Sequence, residues 1–219
     1  RSRRQRQMCI RDRYYRTLVN EDATPIKRKN LFLNYHTKLK YETLNKRYFP
    51  TKGLKTNISY TIHTDLHTNT AYSSLATQIT KIFPIALNTF IIPTIYGRFI
   101  FNDGIPFMYS NVIGGEGYNP HYEQQIPFSG LPHTESTLKL LGNARIQIRH
   151  KFHGKQYLTL SGNYAIHQNQ FSNFLQGKKI YGTSIGYGYD SPLGPIEGFI
   201  CYSNRTNKLG FYLNIGFGF

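Results

Sequence analysis

The segment 182–186 (GTSIG) matches the G-x-S-x-G pattern that surrounds the nucleophilic serine of many hydrolases. In such enzymes the serine lies at a sharp turn between a strand and a helix, which exposes its hydroxyl. Here Ser184 lies between Tyr181 and Tyr187 in a run where tyrosines alternate with small residues, and no helical pattern follows. We therefore predict a continuous strand, a coincidental match and no catalytic residue in this chain.

The 8 histidines and 11 acidic residues do not form a recognisable ligand set. His63 and His67 are four residues apart, a spacing that aligns two ligands on a helix but not on a strand and its turn. His150 and His153 flank a tight turn. No spacing pairs two carboxylates for acid–base chemistry, and no glycine-rich phosphate loop precedes a helix. We expect no metal, no cofactor and no enzymatic activity in this chain.

The formal net charge of +16 comes in part from residues 1–13 (RSRRQRQMCIRDR), whose six Arg and one Asp supply +5 and leave +11. This stretch lacks the apolar core of a signal peptide. It resembles the conceptual translation of a sequencing adapter, so we predict that it is not native and that upstream sequence is missing. The alternative is a genuine basic arm. If residues 1–13 are not native, Cys9 is foreign and Cys201 has no disulfide partner.

The other basic residues lie mostly on the polar faces of predicted strands or in turns. A nucleic-acid site would gather them on one outward face together with aromatic side chains. Since no such stripe is visible, we predict that nucleic acid is not a partner.

Beyond a polar lead-in at residues 14–30, apolar and polar residues alternate in successive segments, and this period of two predicts strands. Several segments exceed the five or six residues usual in soluble sheets. In the fourth segment, Pro93 predicts a bulge or distortion. The pattern predicts an all-β chain, an antiparallel up-and-down meander of about nine long strands near residues 31–41, 54–62, 72–83, 87–101, 144–149, 158–166, 181–189, 196–202 and 209–219.

Residues 209–219 (LGFYLNIGFGF) give the clearest of these patterns. Every odd position is apolar, over a length that spans a bilayer as a tilted strand, and the chain stops on an aromatic residue. No apolar run of about 18 residues occurs, so no transmembrane helix is predicted. An ordinary strand of a soluble sandwich is the alternative interpretation of this segment.

Three separated motifs resemble one superfamily, the BamA/TamA/FhaC-type outer-membrane barrels, or bacterial surface antigen family. Residues 41–53 (YETLNKRYFPTKG) resemble its strand–turn signature, which ends in Phe-Pro-Thr-x-Gly at a periplasmic turn. Residues 105–115 (IPFMYSNVIGG) resemble the start of the long loop that folds into the lumen, and residues 190–197 (DSPLGPIE) resemble the last periplasmic turn. The resemblance implies that residues 31–219 are the C-terminal part of a roughly sixteen-stranded transmembrane β-barrel.

The resemblance places the lumenal loop at about residues 102–133. It implies structural or assembly roles, and no catalytic role, for residues of the two turns, the loop and the last strand: Phe49, Pro50, Gly53, Gly114, Gly115, Pro192, Gly194, Pro195, Gly210, Phe217 and Phe219.

The loop departs from the family pattern at its tip. The family usually carries Arg-Gly-Phe/Tyr there, whereas residues 114–130 (GGEGYNPHYEQQIPFSG) contain no Arg. This disfavours the alternative of an outer-membrane assembly or two-partner secretion barrel. The double glycine, the 125–130 segment and residues 194–197 (GPIE) look more like barrels that follow a patatin-like phospholipase domain and a POTRA-type domain in Bacteroidetes-type bacteria.

The resemblance therefore implies a Gram-negative outer-membrane protein that anchors and translocates a patatin-like phospholipase, with lipid hydrolysis in a missing N-terminal domain. The expected partners are the lipid bilayer, the outer-membrane assembly machinery and the missing part of the same chain. A soluble β-sandwich that serves as a binding module is the second alternative.

Overall fold

The computed structural model describes the backbone of residues 3–16, 29–66, 69–102, 109–116, 125–131 and 135–216, with side chains from residue 33 onward. Within these ranges ten strands form one sheet in the order β1-β2-β3-β4-β5-β9-β10-β11-β12-β13. Every neighbouring pair is antiparallel. The strands are β1 (Arg3–Arg16), β2 (Lys29–Glu42), β3 (Gly53–Asp65), β4 (Thr70–Ala86), β5 (Thr89–Ile100), β9 (Leu140–His153), β10 (Gln156–Gln168), β11 (Lys178–Ser191), β12 (Gly194–Ser203) and β13 (Leu209–Ile215).

A second, small sheet forms between β5 and β9 from β6 (Asn111–Ile113), β7 (Gln125–Ile126) and β8 (Glu135–Thr137). Its order is β7-β6-β8, with β6 parallel to β7 and antiparallel to β8. This sheet belongs to the long connection predicted at about residues 102–133, which we call the inner loop. None of the helical segments among the described residues has the length and hydropathy of a transmembrane helix.

The nine strands from β2 to β5 and from β9 to β13 are those predicted by the alternating pattern, so the all-β antiparallel meander is confirmed. The alternating pattern did not predict β1. Its backbone pairs along β2 from Arg3 opposite Glu42 to Arg16 opposite Lys29. Edge pairing uses backbone groups and needs no apolar alternation, which explains why the pattern misses this strand. The non-native origin of residues 1–13 stays a prediction.

Pro93 interrupts the pairing of β5 with β4 without shifting the register. On the β9 side it lies opposite Ile146 in a continuous ladder. On the β4 side the pairs run from Thr80 opposite Thr94 to Phe83 opposite Ile91 and skip Pro93 and Ile92. The register shift lies between Pro84 and Ala86. The bulge therefore falls in the neighbouring strand, close to the turn.

The two faces of the large sheet have opposite polarity. One face exposes large apolar side chains, including Ile95, Ile146, Leu160, Ile185, Ile200 and Phe211. The other face carries buried polar side chains, including Asn34, His63, Arg98, Asn143, Ser161 and Glu197. A soluble sheet would cover its apolar face, whereas a membrane barrel presents it to lipid and keeps polar groups inside.

The sheet curves so that its polar face is concave. In a flat sheet β3 and β10, four positions apart, would be separated by about 19 Å. Phe49, in the turn between β2 and β3, nevertheless stacks on Tyr157 of β10 with ring centroids 4.2 Å apart. The concave face is therefore the wall of a lumen that residues from distant strands reach across.

The connections differ in length at the two ends of the wall. Short turns join β4 to β5, β9 to β10 and β11 to β12 at one end, where the exception is the connection from β2 to β3, residues 43–52. Longer connections, including the inner loop and residues 169–177, lie at the other end. Outer-membrane barrels have short periplasmic turns and long extracellular loops.

Candidate functional site

The inner loop has an apolar core that packs on the concave face of the wall. Ile113, Ile126, Phe128 and Leu131 are buried with three wall residues from β9, β10 and β11, namely Leu141, Ala165 and Ile180. Four side chains of the loop and three of the wall thus form one cluster. Burial of this size fixes the loop against the wall, because each fully buried aliphatic or aromatic side chain contributes roughly 1.5–3 kcal/mol.

A buried ion pair joins the inner loop to the wall beside this core. Glu116 Oε2 accepts a hydrogen bond from Arg145 Nη2 of β9 at 2.6 Å. The side chains are 1 % and 11 % exposed, respectively. The carboxylate therefore stands in a low-dielectric environment with its counter-charge on the opposite structural element.

Three polar side chains complete the surroundings of this carboxylate. Glu116 Oε1 accepts hydrogen bonds from Ser129 Oγ of the loop and from Ser184 Oγ of β11, the latter at 3.1 Å. Asn163 Nδ2 of β10 donates to Ser129 Oγ at 2.6 Å. Both carboxylate oxygens are therefore satisfied, as a buried charge requires. We call Glu116, Ser129, Arg145, Asn163 and Ser184 the loop lock.

A second set of polar contacts holds residues 109–111 of the inner loop. Arg98 of β5 donates through Nη1 to Asn111 Oδ1 at 2.7 Å and through Nη2 to the Tyr109 carbonyl at 3.2 Å. Asn111 Nδ2 donates in turn to the carbonyl oxygens of Leu138 and Lys139, both at 2.8 Å. The planar guanidinium suits this role because its fixed donors reach several acceptors at once.

Close backbone approaches fix the far side of the loop. A side chain at Gly182 of β11 would overlap the Ser129 carbonyl oxygen and lie 3.0 Å from Phe128 Cε1. At Gly130, which has φ +78°, an added Cβ would lie 2.6 Å from Ser203 N. Tyr212 of β13 donates its hydroxyl hydrogen to the Leu131 carbonyl. The loop thus touches strands from β5 to β13.

The predicted double glycine lies inside this docked segment. Gly114 and Gly115 have φ values of 130° and 72°, a backbone region that favours glycine. Gly114 N donates to the Ile126 carbonyl at 2.9 Å, and Gly115 N donates to that of Leu131 at 3.2 Å. These bonds bring the two halves of the loop together and place Glu116 next to the wall.

The turn between β2 and β3 provides a second contact across the lumen. Phe49 is 1 % exposed and adopts φ 45°, unusual for a residue other than glycine. Its ring lies parallel to that of Tyr157, with 2° between the planes, and Arg149 lies 5.4 Å from its centroid. Gly188 of β11 leaves space beside it, since an added Cβ would lie 2.9 Å from the Phe49 ring.

The other predicted residues of this turn shape its backbone. Pro50 follows Phe49 directly, and Gly53 begins β3 with φ 124°. A Cβ at Gly53 would lie 2.6 Å from the Thr43 carbonyl oxygen. Asn45 closes the turn because its Oδ1 accepts from Thr51 N at 3.0 Å. The turn is therefore built to point Phe49 inward.

Substituting leucine for Phe49 should lower the free energy of unfolding by about 1–2 kcal/mol, because the aromatic stack is lost while most apolar burial remains. Urea titration of the refolded chain in detergent micelles would measure this. The control is Phe211→Leu on the exposed face of β13, which we expect to change stability by less than about 0.5 kcal/mol. Equal losses in the two variants would contradict the cross-lumen contact.

The remaining predicted positions lie near the last turn and the last strand. Pro192 lies in the turn between β11 and β12, Gly194 starts β12 with φ 113°, and Pro195 accepts a hydrogen bond from Gly216 N at 3.0 Å. Gly210 of β13 pairs with Cys201, the buried free thiol of β12. Phe217 and Phe219 lie outside the described residues. The assembly roles of these positions stay predictions.

The serine and histidine residues considered first as possible catalytic or metal-binding groups make packing and hydrogen-bond contacts within the fold. Ser184 lies in the middle of β11, as predicted, and contacts the loop lock. His63 packs on Tyr109 with ring centroids 3.8 Å apart, and His150 Nδ1 lies 2.8 Å from Thr89 Oγ1. His67 falls outside the described residues. Within the described ranges, no three His, Cys, Asp or Glu side chains group in a way that could hold a metal ion.

Sequence reasoning placed the inner loop and its glycines but missed the loop lock. Glu116 is the one acidic residue directly after the double glycine, and Arg145 lies on the polar face of a predicted strand. The opposite charges of a loop residue, Glu116, and a residue of the lumenal face, Arg145, were the sequence feature that could have indicated this ion pair. Which of several lumenal cations the loop would meet depends on the three-dimensional course of the loop.

Long antiparallel strands with an apolar outer face, a polar lumen and a loop docked inside it define a transmembrane β-barrel of the outer-membrane class. The chain belongs to the OMP85 superfamily, whose sequence profile matches residues 6–219.

One similar solved structure is that of BamA from Haemophilus ducreyi lacking POTRA domains 1-3. The TM-score is 0.66 at 15% sequence identity, and the match covers 91% of this chain and 45% of that chain. The chain thus spans less than half the length of this relative. At that identity the likeness establishes the fold alone. A comparison with curated proteins found no match.

Proposed function

We propose that this barrel is the outer-membrane anchor and translocation domain of a patatin-like phospholipase. Lipid hydrolysis would belong to an N-terminal domain outside this chain. The barrel would be inserted by the outer-membrane assembly machinery and would hold the attached domain at the membrane.

The observation that carries this proposal is the composition of the docked loop. Its segments that look most like those of the phospholipase-linked barrels are also the ones that fasten it to the wall. Phe128 belongs to the buried core, Gly130 lies against the backbone of β12, and Ser129 belongs to the loop lock. The loop lock also gives the loop a carboxylate at Glu116, and the Arg of the family tip is absent from residues 114–130.

The competing function is a barrel that assembles or secretes other proteins. The OMP85 profile and the BamA-like fold are compatible with it, since they define the barrel and not its cargo. The absent Arg at the loop tip disfavours it. A soluble sandwich is disfavoured by the apolar outer face, which the large sheet leaves uncovered.

The complete reading frame tests the proposal. We expect it to encode a patatin-like domain with its own serine motif ahead of the barrel. Outer-membrane fractions should hydrolyse phospholipid, and replacing that serine should abolish the activity without changing the amount of inserted protein. Tandem POTRA domains with no lipase domain would overturn the proposal and favour the assembly function.

Deleting Phe217 to Phe219 should abolish assembly in the outer membrane, because the aromatic end of the last strand is the part that the assembly machinery is expected to read. Heat-modifiable gel mobility of membrane fractions measures this. The control is Leu193→Ser, in the exposed turn before β12, which should assemble normally. Normal assembly of the deletion variant would show that the terminal residues are not required.

A further inference from the structure

An aromatic cluster covers the outer face of the wall at the long-loop end. Residues 169–177, between β10 and β11, turn back over β9 through a short 3₁₀ turn at Phe174–Gln176. The Phe171 ring lies 5.8 Å from that of Phe99 and 6.3 Å from that of Phe101. Phe174 meets Phe99 edge-on at 6.2 Å. We call Phe99, Phe101, Phe171, Phe174 and Leu175 the rim cluster.

Two glycines make room for this cluster. Gly97 of β5 and Gly142 of β9 are direct register partners on the outer face. An added Cβ at Gly142 would lie 3.0 Å from Phe174 Cζ, and one at Gly97 would lie 3.4 Å from Phe99 Cζ. The phenyl rings therefore sit in a shallow notch of the wall. This notch fixes the position of the loop relative to the outer face.

The side of the rim cluster that faces the wall is packed, and the side that faces away from the wall is exposed. Phe171 is 59 % and Leu175 is 76 % exposed, although both belong to a loop whose neighbours pack on the wall. Large apolar side chains this exposed need a bilayer or another apolar partner. Since the rest of the outer face carries the apolar band of a membrane barrel, the cluster continues that band to its long-loop edge.

Positive charge borders the cluster on one side. Lys178 and Lys179 begin β11 directly after the loop, and Lys179 is exposed on the outer face. Lys178 pairs with the buried His167 and therefore belongs to the lumenal face. Lys179 pairs with Ile166, which in turn pairs with Gly142, so the three lie in one row on the outer face. That row places Lys179 about 10 Å from the notch. Residues 97–101, 138–142 and 164–183 contain no Asp or Glu.

We propose that the rim cluster and Lys179 bind a phosphorylated lipid of the outer leaflet. The acyl chains lie on the phenylalanines and Leu175, and the phosphate contacts the ammonium group of Lys179. This inference rests on the outer-membrane placement, with long loops outside. Each lysine near a charged membrane surface contributes a factor of roughly five in affinity.

The absence of tryptophan from the chain allows a selective test. Phe171→Trp keeps an aromatic ring in the cluster and introduces the only tryptophan of this part of the barrel. The full-length variant is refolded into phosphatidylcholine vesicles that contain brominated phosphatidic acid or, at the same mole fraction, brominated phosphatidylcholine, and the quenching of the full-length parent protein is subtracted. We expect a roughly fivefold preference for phosphatidic acid, since one lysine contributes.

Charge removal on the same background identifies the source of the preference. Lys179→Gln should abolish the preference for phosphatidic acid. The matched control, Lys178→Gln, removes the adjacent lysine, which belongs to the lumenal face, and should leave the preference unchanged.

Gel mobility separates the possible failures. Equal quenching by both lipids in a heat-modifiable protein would overturn the lipid site alone. If the control variant also abolishes the preference, the effect reflects overall charge, and the site is overturned as well. A full-length parent protein that is not heat-modifiable would contradict the membrane-barrel function, and the lipid site with it.

Discussion

Replacing Glu116 with alanine should free the inner loop and lower the free energy of unfolding by about 3–5 kcal/mol. Removal of one partner leaves Arg145 buried with no counter-charge, and this penalty dominates the loss. Ser129 and Ser184 also lose their common acceptor. Urea unfolding in micelles measures the stability. Added protease measures the release, because a freed loop should be cut within residues 114–130 while the strands stay protected.

Two comparisons make this result specific. The Glu116→Ala and Arg145→Ala double variant should lose less than the sum of the single losses, by about 1–3 kcal/mol, because the two groups act as a pair. Glu135→Ala removes the partner of Arg205 in an ion pair of 3.1 Å whose side chains are 27 % and 50 % exposed. That loss should be at most about 1 kcal/mol. Additive single losses would show that the charges are not coupled.

Gly182→Ala should destabilise the barrel by about 3 kcal/mol and displace the inner loop. A single methyl group there meets the backbone of Ser129 rather than the end of a flexible side chain. Wall and loop must therefore separate, and overpacking of this kind costs roughly 1–3 kcal/mol or more. The same urea and protease measurements apply, with loop cleavage expected as for the Glu116 variant.

The matched control is Gly162→Ala on the neighbouring strand β10. Gly162 pairs with Thr183 on the outer face, and an added Cβ meets nothing within 4 Å. We expect a change below about 0.5 kcal/mol, with the loop still protected. Destabilisation of both variants to the same degree would indicate a general strand effect and contradict the close docking of the loop at Gly182.

The sequence was sufficient to predict the wall because a period of two assigns each residue to a face. Asn163 and Ser184 alternate with larger apolar or aromatic residues in the predicted strands and are buried in the lumen, whereas Tyr181, at an alternate position to Ser184, is exposed. This inference is local, since it needs only the pleat of one strand. The meander follows from turn sequences that join neighbouring strands, again over short distances in the chain.

The contacts of the candidate site could not be predicted in the same way. Glu116 and Arg145 are 29 residues apart, and the choice among lumenal cations depends on the path of the loop. Phe49 was predicted as a turn residue, but its stack on Tyr157 depends on the curvature of the whole sheet. Edge strand β1 shows a third limit, because backbone pairing leaves no mark in the order of apolar residues.

The inner loop bonds to strands that follow it in the chain, which sets an order for folding. Glu116 reaches Ser184 over 68 residues, and Leu131 reaches Tyr212 over 81. Closing chain segments of that length loses conformational entropy before the new contacts stabilise the structure, so contacts between residues far apart in the chain form slowly. Docking of the loop must therefore wait for the hairpins from β9 to β13. A barrel interrupted during insertion would have an empty lumen, and the protease sensitivity of the loop would report how far folding has progressed.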